Sequence, residues 1–188
     1  DRSQISAAVI PKMGRKAVDS NAIFIDDLFI PDEHRIGEEG RGFSYILDSI
    51  NPERVLIAVE AIGIGQDALR RATQYAKERV VFDRPIGQNQ AIQHPLAERW
   101  MYLESAWLMA MKAAELYDAG KPCGAEANAA KFLGARAGYE ACERAIFTMG
   151  GFGYAKEYHV ERLFREVAVT RIAPITEQLI SSFIAEKV

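Results

Sequence analysis

Residues 51–79 read NPERVLIAVEAIGIGQDALRRATQYAKER. Within them Val55, Ile57, Ala58, Ile62, Ala68, Leu69, Ala72 and Tyr75 fall at the spacing that gathers apolar side chains on the faces of an α-helix. The pattern predicts a long helix running to about residue 79. Asn51 is suited to cap it, Pro52 sits comfortably in a first turn, and Glu53 falls in that turn. Proline also pushes the residue before it out of the α region. A short amphipathic helix over 43–50 is therefore expected to break at Asn51-Pro52.

Working outward, the same periodicity predicts a second long helix over 90–118, with Pro95 near its start and Gly120-Lys121-Pro122 at its end. A third, alanine-rich helix is expected over 124–149, stopping at Gly150-Gly151-Phe152-Gly153-Tyr154. A shorter one covers about 160–169, and a last one follows Pro174. Residues 82–88 read as a loop. Toward the N-terminus the pattern changes near residue 34. Residues 5–10 and 22–30 are β-branched, partly alternating runs that read as strands, the second ended by Pro31. Two or three strands do not make a stable sheet alone, so residues 1–33 are either the edge of a sheet continued elsewhere or an arm on the helices. The opening DRSQIS has neither a basic start nor an apolar block, and reads as a chain entered mid-domain. The expected fold is mainly α: an antiparallel helical bundle over 34–188 preceded by a few strands over 1–33.

Composition narrows the functional classes. The chain has 188 residues, 49% of them apolar and 26% charged, with a formal net charge of −3. That suffices for an ordinary core. Basic residues form no run or aromatic-interleaved patch, which argues against nucleic acid. Charges interrupt every apolar stretch well before the length of a membrane span. Cys123 and Cys142 fit no metal or CxxC spacing and are expected to be reduced. His34, His94 and His159 form no metal-ligand pair, so no metal site is expected.

Chemistry can live in three places. In Asn51-Pro52-Glu53-Arg54, a first-turn carboxylate is stabilised by the helix dipole and its neighbouring arginine, while burial against an apolar ligand opposes both. Such opposition makes a usable general base near neutral pH; a solvated first-turn glutamate is the alternative. The stretch from Arg79 through Phe82, Arg84-Pro85-Ile86-Gly87 and Gln90 places arginines, an aromatic and a glutamine between two helices. Third, Gly150, Gly151 and Gly153 beside Phe152 and Tyr154 allow close backbone approach to a flat or phosphorylated group. A helix C-cap and turn is the plainer reading of that segment.

Taken together in this order, Gly37-Glu38-Glu39-Gly40-Arg41-Gly42-Phe43, Glu78-Arg79-Val80-Val81-Phe82 with Ile86-Gly87 and Gln90, and Met149-Gly150-Gly151-Phe152-Gly153-Tyr154 resemble the acyl-CoA dehydrogenase family across essentially the whole chain. Members have an N-terminal helical domain, a middle β-domain and a C-terminal bundle. The resemblance therefore implies that 1–33 is the end of the β-domain and 34–188 the bundle. It implies FAD as cofactor: Arg79 and Phe82 match positions at the flavin of a neighbouring subunit, and Gln90 touches the same FAD. Gly150, Gly151 and Gly153 match its phosphate and adenosine turn, and Thr176 and Gln178 match the last FAD motif. Arg54 matches an arginine that helps place the base and the CoA thioester.

One departure is informative. Many short- and medium-chain members carry Tyr-Glu-Gly-Thr, whose glutamate is the base, where this chain reads Ile172-Ala173-Pro174-Ile175-Thr176-Glu177. Pro174 occupies the glutamate position and cannot accept a proton. Isovaleryl- and long-chain-type members carry the base just before the matching arginine, which here is Glu53. The implied reaction is α,β-dehydrogenation of an acyl-CoA to a trans-2-enoyl-CoA, with Glu53 taking the α-proton and FAD the β-hydride. An acyl-CoA oxidase-like flavoprotein and a non-catalytic helical scaffold are the alternatives. Implied partners are electron-transferring flavoprotein and further copies in a homotetramer or homodimer. The implied location is cytoplasmic, or the mitochondrial matrix in a eukaryote.

Overall fold

The computed structural model describes residues 2–187, which fall into two compact units, 1–48 and 49–188. In the first, strands β1 (Ile5–Val9) and β2 (Asn21–Ile25) pair antiparallel, Ile5 opposite Ile25 and Val9 opposite Asn21. The second strand is shorter than its apolar run to residue 30 suggested. Its partner begins at Ile5, and beyond Ile25 the chain turns through Asp27 at φ 48°. Asp26 N–H then bonds the Gln4 carbonyl, and Gln4 Nε2 donates to the Asp27 carbonyl. Almost every residue of this hairpin is exposed, as a two-stranded ribbon must be.

The bundle rests on α1 (Gly42–Glu78), α2 (Gln90–Asp118) and α3 (Gly124–Met149), with α4 (Gly151–Tyr154), α5 (Val160–Val167) and α6 (Glu177–Ala185) following. The second and third helices have the bounds the sequence periodicity predicts. The first does not: the expected break at Asn51-Pro52 is absent, and α1 runs straight through. Asn51 is therefore not a cap and Glu53 is not in a first turn, so the helix-dipole contribution expected at Glu53 is lost. A proline inside a helix costs about 3 kcal/mol because it forfeits the bond to the carbonyl four residues back. Here that carbonyl belongs to the exposed Asp48, while Val55 and Ala58 just beyond the proline are buried and hold the helix to the core.

Contacts between the helices fix their directions. Arg99 pairs with Glu140 and Lys112 with Glu126, so α2 and α3 run antiparallel. A Cβ on Gly134 would meet the Ala58 carbonyl oxygen at 2.9 Å, and one on Gly138 would meet that of Ala61 at 2.2 Å, so α1 and α3 run the same way with their backbones touching. The result is an up-down-up bundle whose first and third helices meet along a seam of glycines and alanines. Ile62, Leu69, Leu103, Cys142, Val160 and Leu163 form its main apolar core. At this contact density a one-methylene change is felt.

Candidate functional site

The antiparallel arrangement sorts the predicted residues into two groups. At one end, α1 finishes at Glu78 and α2 begins at Gln90. Between them the sequence suggested only a loop, and the structure forms a two-residue hairpin. Its strands β3 (Val80–Val81) and β4 (Arg84–Pro85) are joined by Phe82 at φ 52° and Asp83 at φ 61°. Such turns require positive φ at both central residues and favour Asn-Gly. A phenylalanine there is strained by about 1–3 kcal/mol, yet its ring is 94% exposed and gains no burial in return. Arg79 and Gln90, also exposed, flank this hairpin.

The glycine turn after α3 comes to the same end. Tyr75, one turn before Arg79, lies 6.0 Å from the Phe152 ring and 6.3 Å from that of Tyr158. The three glycines differ in what the chain asks of them. Gly150 terminates α3 at φ 58°, where a side chain would be strained. Gly153 packs so closely that a Cβ would lie 2.5 Å from the Ile146 carbonyl oxygen. A Cβ on Gly151 would meet nothing within 4 Å, so no contact among the described residues requires glycine there. The open space beside Gly151, with the exposed Arg79 guanidinium and Phe82 ring, fits a large phosphorylated, aromatic group such as FAD.

The second group lies toward the start of α1. Glu53 is exposed, and its carboxylate makes no hydrogen bond or ion pair among the described residues. Arg54, beside it, is only 8% exposed. Its Nη1 donates to Asn51 Oδ1 at 3.0 Å, and its Nε is buried without a partner. Loss of water at this guanidinium pulls its pKa below the ordinary arginine value, and the Glu53 charge pulls it back up.

Lys131 of α3 is fully buried, and its Nζ donates to the Ile175 carbonyl at 2.5 Å. Burial lowers its pKa, Glu177 opposes that, and Arg171 and Arg54 reinforce it. The lysine thereby ties α3 to the segment carrying Pro174, Thr176 and Gln178. Thr176 caps α6, its Oγ1 accepting from Leu179 N–H at 3.3 Å, and Gln178 is exposed in the first turn.

Glu177 has a different environment from Glu53. Arg171 Nε reaches its Oε1 at 2.6 Å, while Arg171 Nη2 and Arg136 Nη2 each reach Oε2 at 3.0 Å. The Arg171 bond first, and Arg136 with it, hold this carboxyl below the usual carboxylate range despite its burial. A carboxylate shared by two guanidiniums is a poor proton acceptor, whereas the Glu53 oxygens are unengaged among the described residues.

Sequence reading missed Lys131, the Glu177 cluster and the Tyr75–Phe152–Tyr158 rings. A signal existed for the lysine: it recurs with Ala127, Gly134, Gly138 and Ala141 at helical spacing, on a face otherwise made of small residues. Among the described residues no group of His, Cys, Asp and Glu could hold a metal, and no helix is long and apolar enough to cross a membrane.

One end of the bundle thus carries Arg79, the exposed Phe82 and the glycine turn, and Glu53 stands beside the buried Arg54 toward the other. The family model described as "Acyl-CoA dehydrogenase, C-terminal domain" matches residues 40–188, and the chain belongs to that family. It is 40% identical over 166 residues to acyl-CoA dehydrogenase fadE12 of Mycobacterium bovis, covering 87% of this chain and 43% of that protein. Butyryl-CoA dehydrogenase from Megasphaera elsdenii superposes with a TM-score of 0.93 at 30% identity, over 98% of this chain and 48% of that one. A structure titled "FAD complex of PigA" does so with a TM-score of 0.93 at 28% identity, again over 98% and 48%. The chain thus spans about half the length of the relatives it matches.

Proposed function

We propose that the protein to which this chain belongs catalyses FAD-dependent α,β-dehydrogenation of an acyl-CoA thioester, with residues 1–33 the end of a middle β-domain and 34–188 the bundle. Glu53 takes the α-proton onto its carboxylate, and Arg54 holds the thioester and the base in register. Bound FAD would accept the β-hydrogen as hydride, leaving a trans-2-enoyl-CoA. The supporting observation is the contrast between two acids: Glu177 is engaged by Arg171 and Arg136, whereas the Glu53 carboxylate is exposed and unpaired. Pro174, standing where many relatives keep their base, has no group that could take a proton.

Distance bears on assembly. Glu53 and Arg79 are 26 residues apart on one helix and its end, about 39 Å at 1.5 Å per residue. One flavin cannot serve Glu53 and also lie against Arg79, Phe82, Gln90 and the Gly150–Gly151–Gly153 turn of the same chain. The Arg79 group therefore serves the FAD of a second copy, in a homotetramer or homodimer, while Thr176 and Gln178 accompany Glu53. Electron-transferring flavoprotein is the proposed electron acceptor, in the cytoplasm or, in a eukaryote, the mitochondrial matrix.

The test is an anaerobic titration of the full-length FAD-loaded protein with acyl-CoAs of varied chain length. Bleaching of the oxidised-flavin absorbance is expected, with slow reoxidation by oxygen and fast reoxidation by electron-transferring flavoprotein. Fast oxygen reoxidation would indicate an oxidase. An FAD-loaded protein that no acyl-CoA bleaches would overturn the reading.

A further inference from the structure

Among the described residues Lys131 is the largest side chain to be fully buried. Lysine is almost never found in a core unless a partner offsets the water its ammonium has lost. No carboxylate pairs with it among the described residues: Glu177 acts on it through its field, and the Glu177 oxygens are held by Arg136 and Arg171. Its one hydrogen-bond partner among them is the main-chain carbonyl of Ile175, 44 positions along the chain. An apolar side chain of similar volume would avoid the desolvation of the ammonium. What the lysine adds at this place is therefore the bond to that carbonyl.

The bond falls where the chain has least else to hold it. Upstream, the Ile172 and Ala173 N–H groups bond the Val169 carbonyl. Downstream, Glu177 is fastened by Arg136 and Arg171, and the Thr176 carbonyl accepts from Ile180 N–H at 3.1 Å. In between, Pro174 has no N–H to donate. The Lys131 contact is the only hydrogen bond that Pro174 or Ile175 makes among the described residues. Thr176 and Gln178 follow directly, Gln178 exposed in the first turn of α6.

We propose that Lys131 is a positioning residue for FAD: it anchors the Ile175 peptide from beneath and so places Thr176 and Gln178 against the cofactor, without touching it. This inference rests on the FAD reading above, in which Thr176 and Gln178 accompany Glu53. A lysine that served the core alone would leave its own contribution and that of Gln178 to FAD binding independent. One that acts through this segment makes the two contributions overlap.

The test is a double-mutant cycle on the full-length protein, Lys131→Met with Gln178→Ala. It is read as the dissociation constant of FAD from the apoprotein, followed by FAD fluorescence, with thermal melts of each apoprotein alongside. Each single change should weaken FAD binding about tenfold, and the double variant by about the same tenfold rather than about a hundredfold. Lys131→Gln, which keeps a donor on a shorter side chain, should lie between the parent and Lys131→Met. Losses that multiply, or a folded Lys131→Met protein with the parent's affinity, would overturn the positioning claim. So would failure of both Lys131→Met and Lys131→Gln to fold, which would assign the lysine to the core alone. A Gln178→Ala protein with the parent's affinity would overturn the assignment of this segment to FAD, on which the inference rests. If the cycle behaves as expected and no acyl-CoA bleaches the parent flavin, the proposed reaction fails while the role of Lys131 stands.

Discussion

Arg171 and Glu177, six residues apart, close a two-point ion pair across the turn that leads into α6, Nε to Oε1 at 2.6 Å and Nη2 to Oε2 at 3.0 Å. Arg136 reaches the same carboxylate from α3, so one acid fastens the last helix to the bundle.

Because these bonds depress the Glu177 pKa, the folded state binds this proton less readily than the unfolded chain. The stabilisation is fully present above the ordinary glutamate value of about 4.3 and is lost as pH falls through the depressed folded value. Glu177→Gln should destabilise the protein by roughly 2 kcal/mol, below the usual range for a buried pair because both arginines are partly exposed. Urea melts of parent and variant should differ at pH 7 and converge below about pH 4. A constant difference across that range would show that the pair carries no linkage.

Glu53→Gln keeps the shape of the side chain and removes its basicity. Flavin reduction by acyl-CoA in the full-length protein should slow about a thousandfold, in the middle of the range for a general base, while FAD stays bound. Glu177→Gln, treated alike, should retain most of its rate, because that acid is engaged elsewhere.

Phe82→Gly should uncouple stability from cofactor retention. Glycine relieves the positive-φ strain and gives up no buried surface, since the ring is exposed, so the melting temperature should hold or rise by the equivalent of about 1 kcal/mol. FAD retention through gel filtration should fall. Unchanged retention would remove Phe82 from the cofactor's contacts.

Cys142 lies in the core, where burial first and the charge of Asp67 second push its thiol pKa up to about 12. At pH 8 virtually none of it is thiolate. Iodoacetamide should leave Cys142 unmodified in the native protein and label it fully in urea, as peptide mass mapping would show.

The parts of this fold readable in advance were those set by local periodicity. The bounds of α2 and α3 follow from where apolar spacing starts and where Gly120 and Gly150 stop it. Pro52 misled because the cost of a proline inside a helix is local, whereas the gain from Val55 and Ala58 in the core is tertiary. Arg79, Phe82, Gln90 and the glycines could be singled out as a set, but their meeting at one end of the bundle depends on helix directions that spacing along the chain does not encode. The Glu177 cluster joins residues 41 and 6 positions away, and no window of sequence brings Arg136, Arg171 and Glu177 together. The turn through Phe82 and Asp83 was missed for a different reason: it breaks the residue preferences by which such turns are recognised.

Where Gly138 meets Ala61, the group opposite the glycine is a main-chain oxygen. A crowded side-chain contact can be mended by shrinking the neighbour, but every amino acid has the same carbonyl, so no second substitution could restore room taken by a first. Repair would have to move a whole helix, and α1 carries Glu53 while Arg79 directly follows its last residue. A single hydrogen in place of a methyl group thus keeps the proposed base in register with the rest of the bundle.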